Sequence, residues 1–530
     1  MVKVLVIGLD GGTWNIIEPL VNAGKLPTIA KLMKEGCYGD LESSLPSTTF
    51  PAWKCFSTGK NPGKLGVYYH MGIDTKKRKS VVYNSTYFRS KELWDYLGQN
   101  NITCGVIGMP TTYPPKKING FMVSEFVPKE VGFTYPKELE TELKNNLNYS
   151  YEQVEYHNIS KRFFINERIK LIKQRFDAAH YLIDKYNPSF LHLTIFHTDH
   201  IQHFYWNYME ENNTKYGKVI ENVWIFIDKE ISKLLAHFKD DNLYTFIISD
   251  HGFTAIKAIF DITQWFINEK YLYLNYKTNY RQALLNFILK LADLAGIRSI
   301  LISIINKVKK LPFFKIFIPS TSTIHASMLE TPIDWNRSKA IPLCAGLVYL
   351  NLNILRTDEA YNKTREEIIS EVKKIKNPKV GEKLAKEVFK KEEIYNGEYL
   401  DQAPDIIILP NDGYDIRDMI RNKKIWSFSQ KRGWSATHKL HGIFIAHGKN
   451  LRTGLKTSNI KIYDIAPTIL HVFNLPVPLD MDGNVLKEIF KKDCAFYKRN
   501  ILYQKEESEI NKEIKFIKKR LKQLKKYGKI

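Results

Sequence analysis

Three apolar segments of strand length, separated by helical stretches, constrain the fold of this chain most. They span residues 2–8, 189–196 and 243–249. Strands that alternate with helices predict an α/β fold with a mainly parallel central sheet covered by helices on both faces. Asp10 and Asp250 come just after two of these strands, where α/β enzymes place their active sites. Asp10 alone is equally well explained as a turn residue that caps the next helix.

Weaker patterns complete the predicted secondary structure. Helical periodicity is found at 22–36, 151–186, 210–237, 364–374 and 464–473, and further strand-like runs are found at 103–109, 121–126, 347–352, 405–409 and 443–446.

The chain is long enough for more than one domain, and its pattern changes after Phe253. We predict a catalytic core in two parts, 1–254 and 341–500. Between them lies an inserted cap that is mostly helical, 255–340, and a basic amphipathic C-terminal helix follows at 501–530. The insertion is rich in Lys, Ile, Leu and Phe and lacks alternation of strands and helices. We expect it to cover the carboxyl edge of the sheet, and a membrane-surface element is the alternative.

Charge and cysteine content restrict the partners and the setting. The formal net charge of +23 suits an anionic phosphoester substrate, a nucleic acid or an anionic membrane, although a solvated basic surface also explains it. Five scattered cysteines without metal-type spacing, together with no signal-peptide pattern, predict a cytoplasmic protein. No run of about 18 uncharged apolar residues predicts a membrane span.

The last 25 residues carry an apolar stripe among lysines. The stripe repeats at alternating spacings of four and three residues and consists of Ile510, Ile514, Ile517, Leu521 and Leu524. A helix this short needs a surface to lie on. The choices are its own catalytic domain, an anionic membrane to which the protein would bind peripherally, or a second copy of the chain in a homodimer.

Thr49 is the candidate nucleophile. It precedes Pro51 at a predicted helix start, where free backbone N–H groups and the helix dipole favour an anion. A threonine at such a position can equally be an N-cap and nothing more. Additional residues must therefore support a catalytic role.

Two pairs of acidic and histidine residues are candidate metal ligands. Asp199 and His203 are four residues apart, so on a helix they share one face and can bind one ion. Asp250 and His251 are adjacent at a strand end before a glycine, which is a stronger signal. Mixed Asp and His ligands suit Zn²⁺, with Mn²⁺ as a substitute.

The motifs combine into a family resemblance. They are LDGG near the start, TFPAW followed by TGKNPGKLG, TD-x-x-x-H, SDHG, a later TH before a strand, and DIAPTIL with a closing P-x-DMDG. In this order the chain resembles the alkaline phosphatase superfamily, and most closely its type I phosphodiesterase/nucleotide pyrophosphatase branch. The resemblance implies an alkaline-phosphatase-like core with two divalent metal ions.

The resemblance also implies a role for each matching residue. It implies ligands of the second metal at Asp10, Thr49, Asp250 and His251, and ligands of the first metal at Asp199, His203 and His438. Thr49 would be the nucleophile that forms a phosphothreonine, and the spare histidines His197, His200 and His441 would lie around the site or on the surface.

Two departures from related patterns affect the substrate. Sulfatases carry Cys or Ser in a C-x-P-x-R pattern, whereas Thr49, Pro51 and Trp53 stand here, so a formylglycine sulfatase is excluded. Nucleotide pyrophosphatases usually place an asparagine after the TG…G segment to hold a phosphate oxygen. His70 stands near that position and is the candidate substrate-binding donor, with an ordinary polar loop residue as the alternative.

We therefore predict a metal-dependent phosphodiesterase or nucleotide pyrophosphatase. A phosphomonoesterase and a phosphonate hydrolase on the same fold are the enzymatic alternatives. The non-enzymatic alternative is a basic protein with an inactive site that binds nucleic acid or a membrane surface.

Overall fold

The structure is a computed structural model that describes residues 3–125, 132–150, 160–238, 242–275, 333–419, 424–428 and 433–505. Strands β1–β11 in the first half span Lys3–Leu9, Cys37–Glu42, Met71–Asp74, Lys79–Val82, Cys104–Ile107, Gly120–Val123, Thr134–Tyr135, Phe190–Ile195, Leu243–Ile248, Gly252–Ala255 and Ala258–Asp261. Strands β12–β22 span Ala340–Leu343, Leu347–Leu350, Ala385–Lys390, Ile406–Pro410, Tyr414–Arg417, Trp426–Ser427, Ala436–Lys439, His441–His447, Leu455–Lys461, Val477–Pro478 and Tyr503–Gln504.

Helices α1–α7 span Trp14–Asn22, Pro27–Glu35, Thr49–Thr58, Pro62–Leu65, Leu93–Gln99, Leu139–Leu147 and Lys161–Tyr186. Helices α8–α14 span His197–Glu210, Val219–Phe238, Ile262–Asn268, Asp358–Lys374, Lys391–Ile394, Ile465–Val472 and Ala495–Lys498.

The described residues form a central sheet of nine strands in the order β20-β2-β19-β9-β1-β8-β5-β6-β7. The strands from β9 to β6 are all parallel, and β19 and β7 run antiparallel to their neighbours in that block. The sequence prediction of an α/β fold with a mainly parallel sheet is confirmed.

Strand β1 shows why helices cover both faces of the sheet. Successive side chains of a strand point to opposite faces. Leu5 and Ile7 enter one apolar core, packed by α1, α2, α7, α8 and α9, while Val4 and Val6 enter another, packed by α3, α5 and α13. A strand that is buried on both faces is apolar along its length, as residues 4–9 are here.

A second unit of structure lies beside the central sheet. Strands β12, β13, β15 and β14 form an antiparallel sheet, and β16, β11 and β17 form a smaller one. These strands, α10 and α11 share a third apolar core with Tyr68, from the loop after α4, and Met71, at the start of β3. This core attaches the second unit to the chain segment that follows Thr49.

Several element predictions need correction. The helix predicted from residue 22 begins at Pro27, because Gly24 is in the left-handed region (φ 70°) and proline favours the first helical turn. The helix predicted from residue 210 begins at Val219, after a turn that holds Asn212 at φ 49°. The strand-like runs at 347–352 and 405–409 do form strands, but in the antiparallel sheet rather than the central one.

Some predictions lie outside the described residues. Most of the predicted cap, at 276–332, and the C-terminal stripe, at 506–530, fall there, as does 151–159 of the long predicted helix. The described ends of the insertion contribute β11 and α10. The domain boundaries stay a prediction. None of the helices in the described ranges is both long and apolar enough to cross a bilayer.

Candidate active site

The carboxyl ends of three neighbouring strands bring the candidate residues together. Strands β9, β1 and β8 are parallel and adjacent, with Leu9 of β1 opposite Ile195 of β8. Asp10 therefore emerges beside Asp250, and α8 starts directly after β8. His438 arrives separately, on β18, which pairs with β10 so that His438 lies opposite Phe253.

The two strand-end aspartates are buried, and each keeps one oxygen unused. The indole Nε1–H of Trp53 donates to Asp10 Oδ2 (3.0 Å), and the backbone N–H of Gly11 donates to Asp250 Oδ1 (3.1 Å). The other oxygens, Asp10 Oδ1 and Asp250 Oδ2, are buried without a hydrogen-bond partner among the described residues. They lie 3.7 Å and 3.2 Å from Nε2 of His251.

Thr49 is the first residue of α3, as the sequence predicted. The N-cap is Thr48, so Thr49 is not itself the capping residue. Its hydroxyl oxygen lies 3.4 Å from Nε2 of His251. The hydroxyl is thus beside a candidate ligand and at the N-terminus of α3, the positive end of the helix dipole.

A second group of candidate ligands comes from α8 and β18. Nε2 of His438 lies 3.1 Å from both Nε2 of His203 and Oδ1 of Asp199. His203 Nε2 lies 3.4 Å from the same Asp199 oxygen. The helical spacing of Asp199 and His203 therefore places both on one side, as their four-residue separation predicts.

Backbone carbonyls fix the tautomer of all three histidines. Nδ1 of His203 faces the carbonyl of Ala436 (2.8 Å), and Nδ1 of His251 faces that of Gly252 (3.1 Å). Nδ1 of His438 lies 3.3 Å from the carbonyl of Ser47. A carbonyl only accepts, so each Nδ1 carries a proton and each Nε2 faces the site, where it can bind a metal ion once it is deprotonated.

The carboxylates perturb one another strongly. Burial, followed by the charges of Asp250 and Asp199, raises the pKa of Asp10 well above its ordinary value, and burial raises the pKa of Asp250 to about 7. Burial also acts to raise the pKa of Asp199, but His203 and His438 outweigh it and hold that pKa well below the ordinary range. Burial lowers the pKa of His251. The site therefore favours a positive charge between its carboxylates.

The donor set fits divalent cations. Ligand atoms within 4.8 Å of one another belong to two groups: Asp199, His203 and His438, and Asp10, Asp199 and His251. Asp199 thus belongs to both groups. Asp250 is next to the second group, because its Oδ2 lies 3.2 Å from Nε2 of His251. No Lys or Arg in the described ranges pairs with these three aspartates, and buried carboxylates without such partners need a cation. The Nε2 atoms of His203 and His438, 3.1 Å apart, need either a proton or a metal ion between them.

The other candidate residues surround this centre. The His70 ring lies 6.1 Å, between centroids, from that of Phe50, the residue after Thr49. His197 is buried on α8, whereas His441 is exposed at the start of β19. The role of His70 in binding substrate stays a prediction.

Sequence reasoning missed two aromatic residues. Trp53, whose indole contacts Asp10, stands in the TFPAW motif four residues after Thr49, and this helical spacing was its only signal. The Trp434 ring stacks on that of His203 at 3.6 Å. Nothing in the sequence around Trp434 indicates that contact.

Comparison with known proteins bears on the family and the fold. The family model for type I phosphodiesterase/nucleotide pyrophosphatase matches residues 4–444. Among curated protein sequences, none matches this chain.

Solved structures share the fold at low sequence identity. Murine ectonucleotide pyrophosphatase/phosphodiesterase 5, as an inactive Thr-to-Ala variant in complex with AMP, is 16% identical, with a TM-score of 0.53 over 93% of this chain and 100% of that one. The human protein is 15% identical, with a TM-score of 0.51 over 92% and 98%. Phosphonoacetate hydrolase from Sinorhizobium meliloti, in complex with phosphonoformate, is 12% identical, with a TM-score of 0.54 over 88% and 94%.

Proposed function

Because this chain belongs to the type I phosphodiesterase/nucleotide pyrophosphatase family of the alkaline phosphatase superfamily, we propose that it is a metal-dependent phosphoryl hydrolase. Its substrates are phosphodiesters or pyrophosphates, with nucleotide-type compounds favoured. The reaction passes through a phosphothreonine on Thr49.

The observation that carries this proposal is the convergence near Thr49 of candidate ligands whose aspartates have no Lys or Arg partner in the described ranges. Three imidazoles turn Nε2 toward the site, and two buried aspartate oxygens have no hydrogen-bond partner among the described residues. The Thr49 hydroxyl adjoins one of those imidazoles, at the start of a helix. A packed core without function does not accumulate unneutralised carboxylates in this way.

Seven residues would hold two divalent ions, with Zn²⁺ favoured over Mn²⁺. We assign Asp199, His203 and His438 to the first ion and Asp10, Thr49, Asp250 and His251 to the second. When bound, such ions stabilise the attacking and leaving oxygens of an in-line displacement and favour the alkoxide of a threonine.

The remaining tasks fall to the chain itself. Thr49 supplies the nucleophilic oxygen, and the positive end of the α3 dipole favours the negative phosphoryl oxygens. The carbonyls of Ala436, Gly252 and Ser47 keep the imidazoles in the tautomer that can bind metal. His70 donates to a phosphate oxygen of the substrate.

Replacing the nucleophile tests the proposal. Thr49→Ala should lower kcat/KM for a nitrophenyl phosphodiester by at least about 1000-fold, because the covalent step loses its oxygen. Thr49→Ser should keep much of the activity, and Thr48→Ala is the matched control, since the Thr48 hydroxyl has no hydrogen-bond partner among the described residues. Near-normal turnover by Thr49→Ala would overturn the covalent mechanism.

The choice of substrate separates the enzymatic alternatives. The related structures hold AMP in one case and phosphonoformate in another, so both a phosphate ester and a phosphonate are reasonable ligands of this fold. Turnover of the nitrophenyl diester against the monoester and a phosphonate would distinguish a diesterase from a phosphomonoesterase and a phosphonate hydrolase. A panel of nucleotide, lipid and sugar diesters would then identify the leaving group.

A basic binding protein with an inactive site is the non-enzymatic alternative. Such a protein need not hold stoichiometric metal. Elemental analysis of the purified chain is therefore the simplest discriminator. Peripheral association with anionic membranes or homodimerisation, each through the C-terminal helix, remains part of the proposal.

A further inference from the structure

Trp53 joins the helix that carries Thr49 to the strand that carries Asp10. Its indole Nε1–H donates to Asp10 Oδ2 over 3.0 Å, and both side chains are fully buried. Residues four apart on a helix share one face, so Thr49 and Trp53 project in the same direction from α3. That face contacts His251 through Thr49 and Asp10 through Trp53.

The indole ring of Trp53 is closely packed by β1 and by two neighbouring rings. A Cβ at Gly8 of β1 would lie 2.4 Å from Cη2 of Trp53, so glycine is required where the ring crosses the strand. The rings of Phe56 and His192 pack against the indole at centroid distances of 6.0 Å and 5.7 Å. Packing on both sides therefore sets the direction of the N–H bond.

This hydrogen bond makes the two oxygens of Asp10 different. An indole only donates, so Oδ2 is occupied by Trp53. Oδ1 is buried without a hydrogen-bond partner among the described residues and lies 3.7 Å from Nε2 of His251. A rotation of the carboxylate would break the indole contact, so Oδ1 is held toward the histidine.

We propose that Trp53 is a positioning residue that makes Asp10 a one-oxygen metal ligand and keeps it in register with the Thr49 hydroxyl. This inference rests on the proposed function, because Asp10 must bind a cation for its orientation to matter. The nucleophile helix and the second metal site then form one rigid assembly. Burial alone does not require such a contact: Trp94 is also fully buried, yet its Nε1 has no hydrogen-bond partner among the described residues.

Trp53→Phe tests the role of the N–H group, since it keeps an aromatic ring and removes the donor. Metal-free protein would be titrated with Zn²⁺ against a competing chelator. We expect the affinity of one of the two sites to fall about 10- to 100-fold, the usual effect of removing a group that orients a metal ligand. Trp94→Phe is the matched control and should leave both affinities unchanged. At saturating Zn²⁺, kcat should fall more than KM changes.

A second substitution moves the indole without removing it. Gly8→Ala places a methyl group against Cη2 of Trp53 and should also weaken binding at that site. The double variant Gly8→Ala/Trp53→Phe should bind no more weakly than Trp53→Phe alone, because the smaller ring leaves room for the methyl. Such non-additivity would tie both effects to one contact, and Gly8→Ala keeps the proposal testable where Trp53→Phe fails to fold.

The outcomes separate this inference from the proposed function. Equal Zn²⁺ affinities of wild type, Trp53→Phe and Gly8→Ala would overturn the positioning role while leaving the metal site intact. Wild-type protein that binds no divalent ion would overturn the proposed function itself. Equal losses in Trp53→Phe and Trp94→Phe would also overturn the inference, because they would trace the effect to core packing.

Discussion

At the residue scale, three aspartates share one buried space without a lysine or arginine partner in the described part of the chain. Asp250→Asn and His438→Ala each remove a ligand from a different proposed site, so each variant should bind one divalent ion per chain instead of two. Elemental analysis after gel filtration measures this. Asp228→Asn is the control, because this buried carboxylate accepts from the N–H groups of Thr28 and Ile29 at the start of α2. Two ions in either ligand variant would refute that assignment.

Glu92 offers a prediction about pH at the same scale. Its carboxylate oxygens lie 2.6 Å and 2.8 Å from the Nζ atoms of Lys54 and Lys116. Burial alone would raise the pKa of Glu92, but the two cations outweigh it and lower that pKa to about 2. Burial, helped by the charge of Lys116 and opposed by that of Glu92, lowers the pKa of Lys54.

The direction of the pH effect follows from the lowered pKa. As pH falls, the unfolded chain takes up the proton first, so the stabilisation by Glu92 is complete above about pH 4.5 and is lost towards pH 2. Glu92→Gln should lower the free energy of unfolding by about 3 kcal/mol at pH 7. Urea unfolding should show the difference from wild type shrinking below pH 4.5. A difference that stays constant down to pH 3 would contradict this origin.

At the scale of elements, the sequence pattern predicted those features of secondary structure that depend on residues close together in the chain. The buried strands at both ends of the chain and the helical face of Asp199 and His203 were predictable, because apolar runs and four-residue spacings depend on neighbours in sequence. Which sheet a strand joins is a tertiary choice, so the runs at 347–352 and 405–409 could not be assigned by pattern.

The same distinction applies to the site. Asp10, Asp250 and His251 follow strands and could be proposed from position alone. His438 was placed only by family resemblance, because its approach depends on the pairing of β18 with β10. The contact of Trp53 with Asp10 depends on how α3 packs across β1, and spacing along the helix does not determine that packing.

The turn between α3 and α4 is fastened by the closing acidic motif. Asp482 Oδ2 accepts from the backbone N–H and Nδ2 of Asn61 (2.8 Å and 2.9 Å), and Oδ1 lies 2.7 Å from Nζ of Lys64. Asp482→Ala would leave several donors unsatisfied and should cost about 2–4 kcal/mol of unfolding free energy. Asp480→Ala, which removes a 43% exposed partner of Lys60, should cost less. Chemical denaturation compares them, and equal losses would show that the turn is not fastened by Asp482.

At the scale of the whole molecule, the antiparallel unit is attached to the segment that carries the nucleophile. The Tyr395 hydroxyl donates to the carbonyl of Leu45 (2.6 Å), and the Tyr68 hydroxyl donates to the carbonyl of Tyr399 (2.7 Å). Asn61 links the same regions through Asn396 (3.2 Å). These contacts lie on either side of α3, so the second unit supports the position of Thr49 as well as its own core.

The C-terminal stripe gives the last prediction. Residues 506–530 contain nine Lys or Arg and four Glu around the apolar stripe from Ile510 to Leu524. Lysine-flanked apolar helices suit anionic headgroups, and each basic residue near such a surface contributes about 1 kcal/mol. The chain should be cut after Lys505, because Tyr503–Gln504 pairs with Val477–Pro478 and belongs to the folded part.

If residues 506–530 are a peripheral membrane anchor, a chain that ends at Lys505 should turn over a small soluble diester as fast as the full chain. The shortened chain should no longer sediment with phosphatidylserine vesicles. The full chain should sediment at low salt and be released at high salt, since screening weakens the attraction. If vesicle binding persists in the shortened chain, or the full chain never binds, the membrane role is excluded. A shift from dimer to monomer on truncation, without vesicle binding by either chain, would identify the stripe as a dimer contact instead.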